Sequence, residues 1–210
     1  FKVKTYWTEK KEESCLISFK GSLGANSRLP VYSVDLTYNV TSNGIGVNIH
    51  AEKNPELKSM NRSSKEETEL DLNLKAEIDQ VPRFGMRIPL TGDFENIKYF
   101  GKGDKECYID YQEHAKMGVW KSTVSREYEP YIMPQDCGNH VNVKWLQLKN
   151  DTACMEISAD KAYEFSTLHY SIEQLDAAKH AFEITPLDST EVLICYKNRG
   201  VGSGSCGPAL

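Results

Sequence analysis

No run of apolar residues in this chain approaches the roughly 20 that a membrane-spanning helix requires, so the sequence itself offers no such helix. Positive charge is also in short supply. Only 25 Lys and Arg stand against 30 Asp and Glu, a net charge of −5, which excludes the basic footprint that nucleic acid or an anionic membrane surface demands. Cysteine occurs six times, at Cys15, Cys107, Cys137, Cys154, Cys195 and Cys206, but never as C-x-x-C and never with histidine at zinc spacing. No metal set is expected from that pattern. The scattered thiols read as reduced, mostly buried side chains of an intracellular, cytoplasmic protein. A G-x-S-x-G nucleophile elbow is missing, as are H-x-H and H-x-x-x-H. There is no secretory signal pattern. The chain starts at Phe1 rather than Met, as expected for a portion of a longer protein.

What the sequence does contain is strand pattern. Its 210 residues are 40% hydrophobic and 26% charged, an ordinary globular balance. "ELDLNLKAEI" (Glu69–Ile78) alternates strictly, with Leu70, Leu72, Leu74, Ala76 and Ile78 on one side. Period 2 marks a half-buried antiparallel strand. "VDLTYNV" (Val34–Val40) and "IGVNIHAE" (Ile45–Glu52) flank Ser42-Asn43-Gly44, a hairpin signal. Strands are also expected at Lys2–Trp7, Cys15–Lys20, Phe84–Leu90, Ile97–Phe100, Val141–Leu148, Cys154–Ser158, Tyr163–Tyr170, Phe182–Thr185 and Glu191–Tyr196. One helix is expected near residues 171–181. Ser171 with Gln174 three residues on forms a capping box, and Ile172, Leu175 and Ala178 share a face. The polar run Lys53–Glu69 reads as an exposed loop, its carboxylates serving solubility. No repeat or linker divides the chain, so residues 1–210 are read as a single all-β domain.

The chain ends in "NRGVGSGSCGPAL", where Gly202, Gly204 and Gly207 spell G-x-G-x-x-G after a β-branched run. A dinucleotide turn needs a following helix, whose N-terminus holds the pyrophosphate. Pro208 follows instead, so a nucleotide role is rejected. What remains is a glycine-rich loop presenting Cys206. The five histidines read as structural, with His180 at the end of the helix. "YFGKGDKECYIDYQEHAKMGVW" (Tyr99–Trp120) and "YEPYIMPQDCGNHVNVKWLQL" (Tyr128–Leu148) read as long packed loops leading between strands. Their aromatics serve as anchors rather than sugar platforms.

These two stretches resemble W-x-G-x-G-P-x-E-x-Y-x-D-R and Y-x-x-P-Q-E-x-G-N-R-x-x-V-R-W. "FSTLHYSIEQLDAAKH" resembles F-S-x-x-x-Y-x-x-E-x-L-x-x-A-x-H, and "VLICYKNRGVGSGSCGP" resembles a strand followed by G-x-G-G-D-x-W-x-P. In this order the four patterns are similar to the C-terminal domain of large family-2 bacterial β-galactosidases, over about Leu29 to Pro208. The resemblance implies a large antiparallel β-supersandwich of galactose mutarotase-like type. It implies that the acting carboxylates lie in a preceding barrel domain, so that no catalytic residue is expected here. It also implies a rim loop bordering the substrate, formed by Gly204, Ser205, Cys206 and Gly207, with Cys206 where the family carries a tryptophan.

The sequence departs from the family pattern at several places. The proline and asparagine of the first pattern are Asp104 and Cys107, and its arginine is Gln112. The Glu and Arg of the second are Asp136 and His140, both read as fold positions. The resemblance further implies a family segment before Phe1 and a final strand after Leu210. The partners implied are the remaining domains of the parent and its β-galactoside substrate, within a homo-oligomer. Mg²⁺ and Na⁺ belong to the parent, with no ligand set expected in this portion. Two further readings stand beside this one. One is a free-standing carbohydrate-binding or mutarotase-like module, pairing His140 or His169 with Glu164. The other is a structural assembly domain.

Overall fold

The computed structural model describes residues 1–24, 30–54 and 83–198. They fall into two compact units that divide after Gln80. The strand expected at Glu69–Ile78, most of the polar run Lys53–Glu69 and residues 204–207 lie outside the described residues.

The first unit is a four-stranded antiparallel meander, ordered β1 (Lys2–Lys10), β2 (Ser14–Leu23), β3 (Tyr32–Thr41), β4 (Gly44–Lys53). The register explains the alternation. Tyr6, Phe19, Leu36 and Ile49 form one row across the strands, while Thr5, Lys20, Asp35 and His50 line up on the opposite face. Phe19 meets the Tyr6 and Tyr38 rings at centroid distances of 6.3 and 6.1 Å. The β3–β4 hairpin turns at the expected Ser42-Asn43-Gly44. There Thr41 Oγ1 accepts the Asn43 N–H at 3.3 Å and donates to the Gly44 carbonyl at 3.1 Å.

The second unit is a six-stranded antiparallel sheet. Its strands are β5 (Arg83–Thr91), β6 (Asn96–Gly103), β7 (Lys116–Thr123), β8 (His140–Lys149), β9 (Cys154–Leu168) and β10 (Ser189–Asn198). They are ordered β5-β10-β9-β8-β6-β7. Ile97, Tyr99, Leu146, Leu148, Phe165 and Val192 come to one face by register and form its core, each at most 3% exposed. The all-β antiparallel class expected from the alternation is what the structure shows, with one short α-helix among the described residues.

That helix, α1 (Ile172–Ala177), begins as expected. The Gln174 N–H donates to Ser171 Oγ at 3.1 Å and the Ser171 N–H to Gln174 Oε1 at 3.0 Å. Leu175 is buried on its inner face, and Ala178, the residue that ends it, is buried as well. Ser171→Ala is expected to lower stability by about 1 kcal/mol, the usual cost of a lost N-cap; a change in the urea midpoint reads it, and a shift below about 0.3 kcal/mol removes the capping box from the account.

Four expectations change. The helix stops before residue 181, because Ala178 is already extended (φ −79°, ψ 139°). His180 therefore lies beyond the helix, paired with Glu183 at 3.0 Å and stacked on Phe182. The apolar run Phe182–Thr185 is not a strand: Ala181–Glu183 is a 3-10 turn that leaves Phe182 84% exposed. Cys154–Ser158 and Tyr163–Tyr170 are one strand, β9, and the residues between them are absorbed as a register shift against β8. Last, the loop reading of Tyr99–Trp120 misses β7. Burial does alternate along this edge strand, with Gly118, Trp120 and Ser122 half-buried, but its outward positions include the exposed apolar Met117 and Val119, so the apolar/polar alternation that marks a strand in sequence is blurred.

Candidate functional site

Buried polar side chains gather where β5 and β8 begin and β6 and β10 end. The cause is local: the connections before β7 and before β8 return there carrying Glu106, Glu127, Asp136 and Asn139, and each finds a donor or acceptor there. Burying a carboxylate without such partners would be costly, so the partners fix the loops.

The innermost group is His140, which is fully buried. Its Nε2 donates to Glu127 Oε2 at 2.6 Å, and its Nδ1 faces both the Tyr99 hydroxyl (3.0 Å) and the Lys102 carbonyl (3.2 Å). The ring packs against Phe165 and Tyr99 at 5.1 and 4.6 Å. Burial by itself lowers the pKa of His140. The Cys107 thiol and the Glu127 carboxylate outweigh that and raise it to about 9. His140 is therefore an imidazolium near neutral pH, in a site where the resemblance pattern carries arginine. A permanent cation is replaced by one that titrates.

Glu106 ties the two loops together. Tyr131 donates its hydroxyl to Oε1, the Gly138 N–H donates to Oε2 at 2.7 Å, and the His114 ring meets the Glu106 carbonyl at 2.9 Å. Asn139 Nδ2 reaches the Cys107 carbonyl (2.9 Å) and Glu164 Oε2 (3.2 Å). Glu164 is 1% exposed, and burial pushes its pKa up against the opposing pull of Asn139, Lys197 and Arg83. Asp136 Oδ2 accepts from Arg83 Nη2 at 2.5 Å, from the Tyr108 hydroxyl at 3.3 Å and from Asn198 Nδ2 at 3.3 Å.

Chemically this is mostly a set of engaged groups rather than an open acid–base pair; the exception is Glu164 Oε1, buried without a hydrogen-bond partner and 4.0 Å from Lys197 Nζ. His140 and Glu164 lie on opposite faces of the sheet: His140 pairs with Phe165, the strand neighbour of Glu164. His169 is held elsewhere, by Glu95 at 2.7 Å and the Ser189 carbonyl at 3.0 Å. The acid–base pairing that a mutarotase-like module requires is thus not assembled from these residues. Among the described residues no three His, Cys, Asp or Glu gather as a metal-ligand set.

Cys107, Cys137 and Cys195 are buried thiols as expected, whereas Cys154 is exposed; all five described cysteines are free. Aromatic anchoring holds for Tyr99 and Tyr108, both at most 1% exposed, but Tyr111 is 59% exposed. Asp136 and His140, read from sequence as plain fold positions, prove to be the hubs of the network. Glu127 escapes the sequence reading, and Glu106 enters it only as the glutamate of the first pattern, with no role assigned. The signal that could have found them is a set of acidic residues inside glycine- and aromatic-rich loops, too apolar in context for solubility.

β10 leads straight from this cluster to the glycine-rich end of the chain, and its neighbours β5 and β9 are both antiparallel to it. The parallel strand–helix–strand unit of a dinucleotide site is absent among the described residues. A family model described as "Beta galactosidase small chain" matches residues 2–210. The chain belongs to this β-galactosidase small-chain family. It is 29% identical over 203 residues to the β-galactosidase of Actinobacillus pleuropneumoniae, covering 96% of this chain and 18% of that protein. It is 33% identical over 140 residues to the β-galactosidase of Staphylococcus xylosus, covering 67% of this chain and 14% of the relative. The β-galactosidase of Streptococcus thermophilus is 32% identical over 130 residues, 61% of this chain and 13% of its own length. This small-chain domain thus spans less than a fifth of the curated relatives it matches. No helix among its described residues is long and apolar enough to cross a membrane.

Proposed function

We propose that the chain is one domain, residues 1–210, of a retaining β-galactosidase that hydrolyses terminal β-D-galactosides such as lactose, in the cytoplasm. The observation that carries this reading is the family match across residues 2–210, with relatives named β-galactosidase at several times the length. Retaining hydrolysis needs two carboxyls about 5–5.5 Å apart, one acting as nucleophile. The carboxylates in the buried network are each engaged by donors that hold loops, which supports placing the reacting pair in the remaining domains. Any Mg²⁺ or Na⁺ of the parent would be held there too, as would contacts between copies in a homo-oligomer.

In this reading the domain completes the rim of the active site. Gly204, Ser205 and Gly207 shape a loop, and Cys206 borders the acceptor side of the galactoside. A thiol offers no flat ring to stack on a sugar, so acceptor binding is weak at that position. The test uses the full-length parent. Cys206→Trp is expected to lower KM for lactose by about threefold and to raise transfer to added glucose. Hydrolysis of nitrophenyl galactoside is the reference. An active parent whose lactose kinetics ignore the substitution removes Cys206 from the rim; a parent inert on both substrates overturns the enzymatic reading.

A further inference from the structure

We propose that the sheet face opposite the buried core, where β7, β6 and β8 lie side by side, is a docking surface for an acidic, apolar-tipped face of another domain of the parent polypeptide. This rests on the reading of the chain as one domain of a longer β-galactosidase.

Register assembles the surface. Val119, Phe100 and Trp145 are successive cross-strand partners, an apolar row running inward from the edge strand. The next row, Trp120, Tyr99 and Leu146, packs in the core, so Val119, Phe100 and Trp145 face away from it. Phe100 and Trp145 are half-buried. Val119 is 55% exposed and Met117, two residues back on the same face, is 46% exposed.

Beside this row runs a polar one of Lys121, Lys98, Gln147 and Glu156. Gln147 Nε2 donates to Glu156 Oε2 at 2.7 Å, which engages that carboxylate at the far end of the row. The two lysines stand directly opposite each other, and like charges so placed on a sheet are unfavourable. Neither makes an ion pair among the described residues. Lys98 Nζ lies over the Trp145 ring, 5.7 Å from its centroid. The diagonal neighbours of Lys121 across the β6–β7 pair are Asn96 and Phe100. In a chain with more acidic than basic residues, this is a local excess of positive charge beside an apolar floor.

Lysines on an edge strand also discourage pairing with a stray strand. That role asks nothing of the apolar row beside them, and contiguous apolar surface rimmed by polar groups marks an interface. Charge and length select the occupant. The two ammonium groups call for carboxylates across the interface, and the floor calls for apolar side chains. This chain matches only 18% and 14% of the length of two relatives. Most of the parent is then tethered to this surface, at the high effective concentration that a covalent link provides.

An open surface and a docked one predict opposite signs for one substitution. Lys121→Glu turns a like-charge pair with Lys98 into an opposite-charge pair, so a solvent-facing sheet is stabilised or unchanged. Against an acidic partner the same change sets carboxylates together. In the full-length parent Lys121→Glu is therefore expected to lower the melting temperature by about 3 °C, and about 0.5 M salt halves that loss. Acetylation of Lys121 in the native parent, mapped by mass spectrometry, is expected to run about tenfold slower than in the urea-unfolded parent. A melting temperature that stays or rises, or a Lys121 that labels as fast as in the unfolded chain, overturns the proposal. Protection lost on dilution to monomers gives the surface to a second copy, and protection that appears only with lactose gives it to sugar; either result overturns the choice of partner. Activity of the same samples keeps the two readings apart. An active parent with unprotected Lys121 defeats the docking surface alone, whereas a parent inert on lactose and on nitrophenyl galactoside defeats the enzymatic reading.

Discussion

Glu127→Ala lowers the stability of the chain by about 3–5 kcal/mol, the scale of breaking a buried ion pair by removing one partner. It also abolishes a pH dependence that the native pair creates. Glu127 is 6% exposed and His140 fully buried. Removing the carboxylate therefore strands an imidazolium among Tyr99, Phe165 and the Lys102 carbonyl. In the folded state His140 titrates at about 9, with burial pulling down and the Cys107 thiol and Glu127 pushing up harder. In the unfolded state it titrates near 6.5. A group whose folded pKa is raised contributes stability that is complete below the unfolded pKa and is lost as pH rises through the folded one. The native chain is therefore expected to lose about 3 kcal/mol between roughly pH 6 and pH 10 through this group. Urea denaturation at successive pH values measures it. A flat native profile over that window, or a Glu127→Ala variant that keeps the slope, contradicts the charged pair.

Gly138→Ala comes next in size, at about 3 kcal/mol in all from backbone strain and overpacking. Gly138 has φ +69°, a conformation that costs an L-residue with a Cβ roughly 1–2 kcal/mol. An added Cβ would also stand 2.5 Å from the Glu127 carbonyl oxygen and 3.4 Å from the Glu127 Cβ. The first of those atoms is backbone and cannot swing aside, so overpacking adds about 1–3 kcal/mol. Any shift that relieves it pulls the Gly138 N–H off Glu106 Oε2, 2.7 Å away, and disturbs the residue that carries the His140 partner. The urea midpoint falls with the m-value unchanged if the effect is confined to the folded state. A loss below about 1 kcal/mol would mean that the loop relaxes freely and is not pinned as its hydrogen bonds imply.

Alternation made the strand skeleton legible before any coordinates. Leu36 against Ile49, or Ile97 against Leu148, face the same way in the structure because period 2 permits one buried side per strand. The capping box at Ser171 and Gln174 was equally plain, since it is written within four residues. β7 escaped because its outward positions carry apolar Met117 and Val119 opposite the inward Trp120, which hides the alternation, and Phe182–Thr185 misled because four residues without a partner strand specify nothing. The roles of Glu106, Asp136 and His140 escaped for a different reason. Their partners are Gly138 at 32 positions' remove, Asn198 at 62 and Tyr99 at 41. No local rule links residues so far apart.

By itself, then, the sequence determined what is local or periodic. It decided an all-β antiparallel chain with one capped helix, a net negative charge without a nucleic-acid footprint, and four ordered motifs that point to one family. Tertiary structure alone decided that a histidine in place of the pattern's arginine would be buried and charged, and that Asp136 would meet Arg83 and Asn198. A side chain's pKa and partners depend on what the fold brings within hydrogen-bonding reach, and that distance is set by sheet register and loop closure rather than by neighbours along the chain.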